Sequence, residues 1–169
     1  MAVSATPRST EIAGSADGLS IWSKSHGGIP AYGLHLRSCV RALDDITSEI
    51  IDAAISIHQA LGPGLLESVC ERVLADELTR RGLHVDRQVV RSFEFKGQQF
   101  ERAVRIDLLV DDRVVVEVKS RERMNPLYAK QVLTYLRVLN LSVGLVINFG
   151  CPTLRQGLQR VVNNYRREI

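Results

Sequence analysis

The chain has 169 residues, 45% hydrophobic and 24% charged, with a formal net charge of +3. This size and composition are ordinary for one globular domain with a real core, and the weak positive charge permits phosphate binding without indicating it. The apolar runs are too short to span a bilayer and the N-terminus lacks the apolar core of a signal peptide, so we expect no membrane association.

The first part of the chain, residues 1–44, differs from the rest. It is rich in serine, glycine and alanine and shows no sustained hydrophobic period. We interpret it as a flexible N-terminal arm that is disordered, or as sequence upstream of the true domain start. The pattern changes at Asp45, and residues 45–169 are predicted to form one domain.

Two helices are predicted at the start of this domain. Thr47 or Ser48 can cap the first, which runs to Leu61 and is stopped by the glycine-proline-glycine turn at 62–64. The second runs from about residue 65 to 81 and carries a continuous apolar stripe. The stripe consists of Leu66, Val69, Cys70, Val73, Leu74 and Leu78.

Three side chains of these helices carry reactive groups. His58 lies on the apolar face of the first helix, which is typical of a hydrogen-bonded core histidine. Cys70 lies at the centre of the second stripe, which favours a packed apolar role. Glu67 lies at the border of that stripe, where a carboxylate is costly unless it is paired or bound to a cation. From its position alone we interpret Glu67 as a boundary residue that reaches water.

Strand-like segments follow, from about residue 84 to 95 and from 99 to 119, with a turn at Lys96-Gly97. In the second segment, two apolar rows share one face in only one antiparallel register, because strand side chains alternate between faces. That register predicts a three-residue hairpin loop, Asp111 to Arg113, or an equivalent bulge. The opposed apolar pairs are then Val110–Val114, Leu108–Val116 and Ile106–Val118.

The same register places charged side chains together on the opposite face. Asp107 falls opposite Glu117, and Arg105 falls opposite Lys119. Two carboxylates and a lysine in one recess are suited to holding a divalent cation and a phosphate. The alternative is the solvated outer face of an antiparallel sheet, which is common. Apolar residues pair beside the carboxylates on this face, and this favours a cleft.

The remaining elements complete a mixed α/β domain. Asn125-Pro126 opens a third helix that ends near Leu139, and the apolar run 141–149 predicts a strand covered on both faces. A last helix is predicted from residue 153 to about 167. The predicted order is α-α-β-β-β-α-β-α, a sheet flanked by helices.

The third helix presents a polar and aromatic face. Gln131 and Tyr135 lie one helical turn apart and share this face with Tyr128. Such a face could contact a nucleotide, or it could form hydrogen bonds with the sheet.

Taken together, these segments resemble the GxxExxY family, whose members look like compact relatives of the PD-(D/E)XK nuclease superfamily. The similarity runs from about Asp45 to about Asn163. It rests on blocks that occur in the family's order and at family-like separations. They are IHQALGPGLLESVC at 57–70, DLLV at 107–110 with VEVK at 116–119, and QVLTYL at 131–136 with GLVINFG at 144–150.

This resemblance implies a restriction-endonuclease-like core and a nuclease that uses Mg²⁺ or Mn²⁺ to hydrolyse phosphodiester bonds in DNA or RNA. The implied catalytic residues are Asp107, Glu117 and Lys119. Asp107 and Glu117 would also bind the metal, with Glu67 as an accessory ligand. The implied substrate-positioning residues are Gln131 and Tyr135.

One position departs from the family pattern. The family's name-giving tyrosine is Cys70 here, while Gly64 and Glu67 remain. If that tyrosine supports the site, its loss weakens activity, but the central position of Cys70 in the apolar stripe favours a packing role. The alternative function is a catalytically silent module that binds nucleic acid or protein on the same fold.

We expect nucleic acid as the partner, DNA rather than RNA, and no membrane. A homodimer is compatible with the sequence. The cysteines Cys39, Cys70 and Cys151 are odd in number and lack metal-type spacing. This favours a reducing compartment, the cytoplasm, over a disulfide framework.

Overall fold

The structure is a computed structural model that describes residues 41–164. The predicted N-terminal arm therefore lies outside the described residues, apart from residues 41–44. Within this range the helices are α1 (Leu43–Leu61), α2 (Glu67–Arg80), α3 (Pro126–Leu139) and α4 (Leu154–Gly157). The strands are β1 (Val85–Phe95), β2 (Gln98–Val110), β3 (Val114–Lys119), β4 (Val143–Asn148) and β5 (Leu158–Val162).

The strands form one five-stranded sheet in the order β1-β2-β3-β4-β5. β3 and β4 are parallel and the other neighbours are antiparallel, because α3 carries the chain back from the end of β3 to the start of β4. The prediction of an α/β fold with a mixed sheet flanked by helices, as in a restriction-endonuclease-like core, is confirmed.

Each face of the sheet has its own apolar core. On one face, α1, α2 and α4 pack against alternate residues of the central strands, such as Val116 and Leu145. On the other face, α3 packs through Val132 and Leu136 against the intervening residues, such as Val115. β4 is buried along its whole length, as predicted for a strand covered on both sides.

α1 begins earlier than the sequence predicted. Its N-cap is Ala42, and Thr47 and Ser48 lie inside the helix rather than at its start. Their hydroxyls donate to the Asp44 carbonyl at 3.0 and 2.8 Å, so the groups expected to cap the helix bond back within it instead.

The two predicted core residues of the helices are confirmed. His58 is buried, and its Nε2 lies 2.9 Å from the Cys151 carbonyl oxygen. Cys70 is 1% exposed and belongs to the apolar core between the helices and the sheet. None of the helices within residues 41–164 has the length and apolarity needed to cross a membrane.

The hairpin between β2 and β3 has the predicted loop but only part of the predicted register. Val110 pairs with Val114 and Leu108 with Val116, around the loop 111–113. The ladder ends there, so the expected pairs Ile106–Val118, Asp107–Glu117 and Arg105–Lys119 are wrong as strand pairs.

The reason is a break in the alternation of β1 and β2. Gln88 in β1 has a left-handed backbone with φ of 52°, at the level of Asp107 between the pairs Arg87–Leu108 and Val89–Ile106. As a result, Leu108 packs on the face of α1 and α2, whereas Ile106 packs on the face of α3.

The predicted last helix is wrong. After the single turn of α4 the chain forms β5, which pairs antiparallel with β4, for example Val161 with Gly144. The apolar residues 154, 158, 161 and 162 have helical spacing, but Gly157 lets the chain approach the end of β4. A Cβ at Gly157 would collide with the Asn148 carbonyl oxygen, and the β-branched residues at 161 and 162 favour a strand.

Candidate functional site

The candidate site lies at the end of β3, on the face covered by α3. Glu117 and Lys119 point to this face because they alternate with the apolar residues that face α2. Lys119 Nζ donates to Glu117 Oε1 at 2.6 Å, and the side chains are 15% and 2% exposed. The two residues therefore form a nearly buried ion pair.

Asp107 joins them from β2, although not as a cross-strand partner. Its Oδ2 accepts a hydrogen bond from the Val118 backbone N–H at 3.0 Å, and its Oδ1 lies 3.4 Å from Gln88 Nε2. The carboxylate thus takes the place of a backbone acceptor where the β2–β3 ladder has ended. Beside the effect of burial, the charge of Asp107 acts on the pKa of Glu117 and on that of Lys119, as expected for neighbouring groups.

Glu67 is the first residue of α2 and reaches the same lysine. Its Oε1 lies 3.6 Å from Lys119 Nζ, and its Oε2 accepts from the Ser120 N–H at 3.3 Å. The Ser120 hydroxyl donates to the Leu65 carbonyl at 2.5 Å, which ties the start of α2 to the end of β3. Glu67 is thereby held beside the site but remains 42% exposed.

Gln131 and Tyr135 contact each other on the sheet side of α3. Gln131 Nε2 donates to the Tyr135 hydroxyl oxygen at 2.7 Å. Burial raises the pKa of Tyr135, and the negative charges of Glu117 and Asp107 raise it further. This direction is expected for a tyrosine hydroxyl close to the two acids. The third aromatic residue, Tyr128, places its ring 5.6 Å from Lys119 Nζ.

The acids of the site are hard to ionise together. Burial raises the pKa of Asp107, in spite of its hydrogen bond from Val118 and the charge of Lys119. Burial and then repulsion by Asp107 raise the pKa of Glu117. Burial alone would lower the pKa of Lys119, but its hydrogen bond to Glu117 and the surrounding carboxylates leave that pKa above its ordinary value.

One oxygen of the site has no partner. Glu117 Oε2 is buried and accepts no hydrogen bond from any residue in the described part of the chain. An unsatisfied buried carboxylate oxygen is costly, and a cation beside it would remove that cost. Oxygen donors of this kind are those that Mg²⁺ prefers.

The carboxylate oxygens of the site fit a divalent cation, although they do not surround it completely. Among residues 41–164, no three or more His, Cys, Asp or Glu side chains are arranged to hold a metal ion by themselves. Glu67 is bonded to Lys119 and Ser120 instead of completing a three-carboxylate group. Mg²⁺ usually binds one or two carboxylates and keeps water and substrate phosphates as its other ligands, so Asp107 and Glu117 fit that ion.

The sequence reasoning missed two residues beside the site. Glu71 of α2 is 5% exposed and is bonded to Arg87 at 3.1 Å and to Gln88 Nε2 at 2.6 Å. Its place one turn after Glu67 could have indicated a shared helix face. No sequence pattern marked Gln88, because its position depends on the left-handed backbone in β1.

The comparisons with known proteins agree with this geometry at the level of the superfamily. The model of the PD-(D/E)XK nuclease superfamily matches residues 44–161, more than half of the chain. A search of curated proteins and a search of solved structures return no match. The matched range spans Glu67, both acids, Lys119 and the Gln131–Tyr135 pair. This chain belongs to the PD-(D/E)XK nuclease superfamily.

Proposed function

We propose that this chain is a divalent-metal-dependent nuclease of the GxxExxY group that hydrolyses phosphodiester bonds in DNA, or in RNA. The observation that carries the proposal is the convergence of Asp107, Glu117 and Lys119, with Glu117 Oε2 buried and without a partner in residues 41–164. An ordinary surface ion pair would leave neither a buried carboxylate unsatisfied nor a second acid beside it.

In this proposal Asp107 and Glu117 would hold Mg²⁺ or Mn²⁺, with the Val118 carbonyl as a further ligand and Glu67 as an accessory one. When bound, the cation would supply a more acidic water and positive charge to offset the negative charge that develops on the phosphoryl group. The raised pKa values of both acids support this role, because a bound cation would offset the burial and the mutual repulsion that oppose their ionisation.

Lys119 acts as a fixed positive charge. In spite of burial, the hydrogen bond to Glu117 and the surrounding carboxylates hold the pKa of Lys119 above its ordinary value, so the ammonium group is protonated at neutral pH in the metal-free chain. It donates hydrogen bonds to the attacking water or to the phosphoryl oxygens as negative charge develops on them. Its nearly buried position strengthens that interaction relative to the same charge in water.

Gln131 and Tyr135 hold the substrate strand by its backbone. Gln131 donates to the Tyr135 hydroxyl oxygen, so the tyrosine proton remains free to donate to another group. A phosphate group on a cation held by Asp107 and Glu117 would be an acceptor for that proton. This arrangement positions the strand without adding charge to the site.

The proposal also covers the substrate, the compartment and the oligomeric state. DNA is the preferred substrate over RNA, the compartment is the reducing cytoplasm, and a homodimer is compatible with this function. Both cysteines in the described residues, Cys70 and Cys151, are buried free thiols, which is compatible with a reducing compartment.

The test is cleavage of DNA and RNA by the purified full-length chain with Mg²⁺ or Mn²⁺. Lys119→Ala is expected to lower the cleavage rate by about 100-fold or more, as for loss of one transition-state donor. Lys130→Ala is the matched control, because Lys130 is an exposed lysine of α3. Its rate should equal that of the wild type.

Equal cleavage by wild type and Lys119→Ala would assign the activity to a contaminant and end the proposal. Salt-sensitive nucleic-acid binding that needs no metal and gives no cleavage would instead establish the catalytically silent module.

A further inference from the structure

Gln88 adopts a backbone that a strand residue rarely has. Its φ is 52°, in the left-handed region, although it lies inside β1. This region is strained for residues other than glycine, asparagine and aspartate, and such strain persists where the surroundings enforce it. Contacts with neighbouring side chains must therefore hold Gln88 in this conformation.

The contacts are to two carboxylates. Gln88 Nε2 donates to Glu71 Oε2 at 2.6 Å and lies 3.4 Å from Asp107 Oδ1. Arg87, the preceding residue, also binds Glu71, at 3.1 Å. Consecutive residues of a regular strand would point to opposite faces, so only the left-handed turn at Gln88 lets both reach one helix side chain.

The amide can be oriented in one way only. Both of its neighbours are hydrogen-bond acceptors, so the NH₂ group must face them, with one hydrogen available for each carboxylate. Both oxygens of Asp107 then face a donor, Oδ1 the Gln88 amide and Oδ2 the Val118 N–H. Because the amide is neutral, its contact leaves the negative charge of Asp107 available to a cation.

We propose that Gln88, anchored by Glu71, is a positioning residue that fixes the Asp107 carboxylate for a divalent cation. The proposal rests on the proposed function only in so far as Asp107 is a metal ligand. Groups that orient a metal ligand typically contribute about 10- to 100-fold in metal affinity. Loss of the Gln88 amide should therefore raise the Mn²⁺ concentration needed for half-saturation by about that factor.

The measurement is the Mn²⁺-dependent rise in the thermal midpoint of the full-length chain, without nucleic acid. Gln88→Met keeps the side-chain length and removes the donor, while Gln88→Gly suits the left-handed backbone. Gln99→Met is the matched control, because the Gln99 amide also donates to a carboxylate, Glu94 Oε2 at 3.0 Å, on the exposed hairpin. Asp107→Asn, which removes a proposed ligand, is the reference for loss of the site.

Both Gln88 variants should need about 10- to 100-fold more Mn²⁺ than the wild type and the Gln99 variant. At saturating Mn²⁺ their cleavage rate should return towards that of the wild type, whereas a merely structural defect would lower it at every concentration. If Gln88→Met does not fold, Gln88→Gly decides the result alone.

Unchanged half-saturation in the folded Gln88 variants, together with loss of the Mn²⁺ response in Asp107→Asn, would overturn the positioning role and leave the nuclease proposal standing. A Mn²⁺ response that depends on Gln88 but comes without any cleavage would support the positioning role and refute the nuclease. No response in the wild type would end both.

Discussion

Glu117 combines a negative charge with burial, and burial opposes that charge. Its side chain is 2% exposed, one oxygen is bonded to Lys119, and the other has no partner within residues 41–164. Asp107 adds repulsion, which together with burial raises the pKa of Glu117. Without a cation, the ionised form of this residue therefore destabilises the fold, which is the stability cost expected of the proposed metal site.

Glu117→Gln should make the metal-free protein more stable at pH 7 by about 1 kcal/mol, because it removes a charge whose ionisation is opposed by burial and by repulsion from Asp107. The Gln oxygen can still accept from Lys119. The same variant should lose the stabilisation that Mn²⁺ gives the wild type. Urea denaturation with and without Mn²⁺ measures both effects, and the exposed Glu122→Gln is the control.

The pH dependence has a definite sign. The pKa of Glu117 in the folded chain is raised above its ordinary value. The wild type therefore gains stability as Glu117 takes up a proton and loses it as pH rises through the folded pKa. The advantage of Glu117→Gln should therefore shrink as pH falls from 7 towards 4.5. An advantage that grows on acidification would contradict the account.

At the residue scale, the sequence supports the trio Asp107, Glu117 and Lys119 but not the groups around it. Glu117 and Lys119 follow from the alternation of side chains along β3, whereas the alternation of β2 is broken at Asp107. Glu71 and Gln88 were not predicted as neighbours of the site, because their contact requires a left-handed residue inside a strand, which no periodicity encodes. A hydrogen bond from the Val118 N–H holds the Asp107 carboxylate at the site, although the expected strand pairing of Asp107 with Glu117 was wrong.

At the scale of elements, the position of α3 depends on a close approach to β4. A Cβ on Gly144 would lie 2.6 Å from Val132 Cγ1 and 3.0 Å from the Val115 carbonyl oxygen. The absence of a side chain at Gly144 therefore sets the depth at which α3 packs. Since α3 carries Gln131 and Tyr135, this contact also sets their distance from the acids.

Gly144→Ala should destabilise the protein by about 1–3 kcal/mol through overpacking. Val132→Ala should cost less in that background than in the wild type, with a coupling of about 0.5–3 kcal/mol. A double-mutant cycle measured by urea denaturation checks this. Strictly additive losses would show that Val132 does not limit the approach of α3.

Prediction of elements succeeded where local pattern and tertiary context agree. α3 begins at the predicted Pro126, where Asn125 accepts from the Leu127 N–H at 2.9 Å, and β4 is the expected fully buried strand. The last helix failed because its apolar spacing fits a helix, whereas pairing with β4 and the close approach at Gly157 select a strand.

At the scale of the whole molecule, the sheet brings two helix starts to one place. α2 begins at Glu67 and α3 places Tyr128 in its first turn, and both residues contact Lys119. Helix N-termini carry partial positive charge, which favours an anionic group at this end of the sheet. The α/β class could be predicted from the sequence, but the fifth strand and the convergence of two helices from opposite faces required the structure.

The proposed nuclease depends on a divalent cation that Asp107 and Glu117 hold together. Anomalous diffraction from crystals of the full-length chain soaked in Mn²⁺ can locate this cation. We expect a manganese peak about 2 Å from an Asp107 oxygen and from Glu117 Oε2, absent in crystals of Glu117→Gln. Manganese bound only elsewhere, or the same peak in the variant, would refute the shared site.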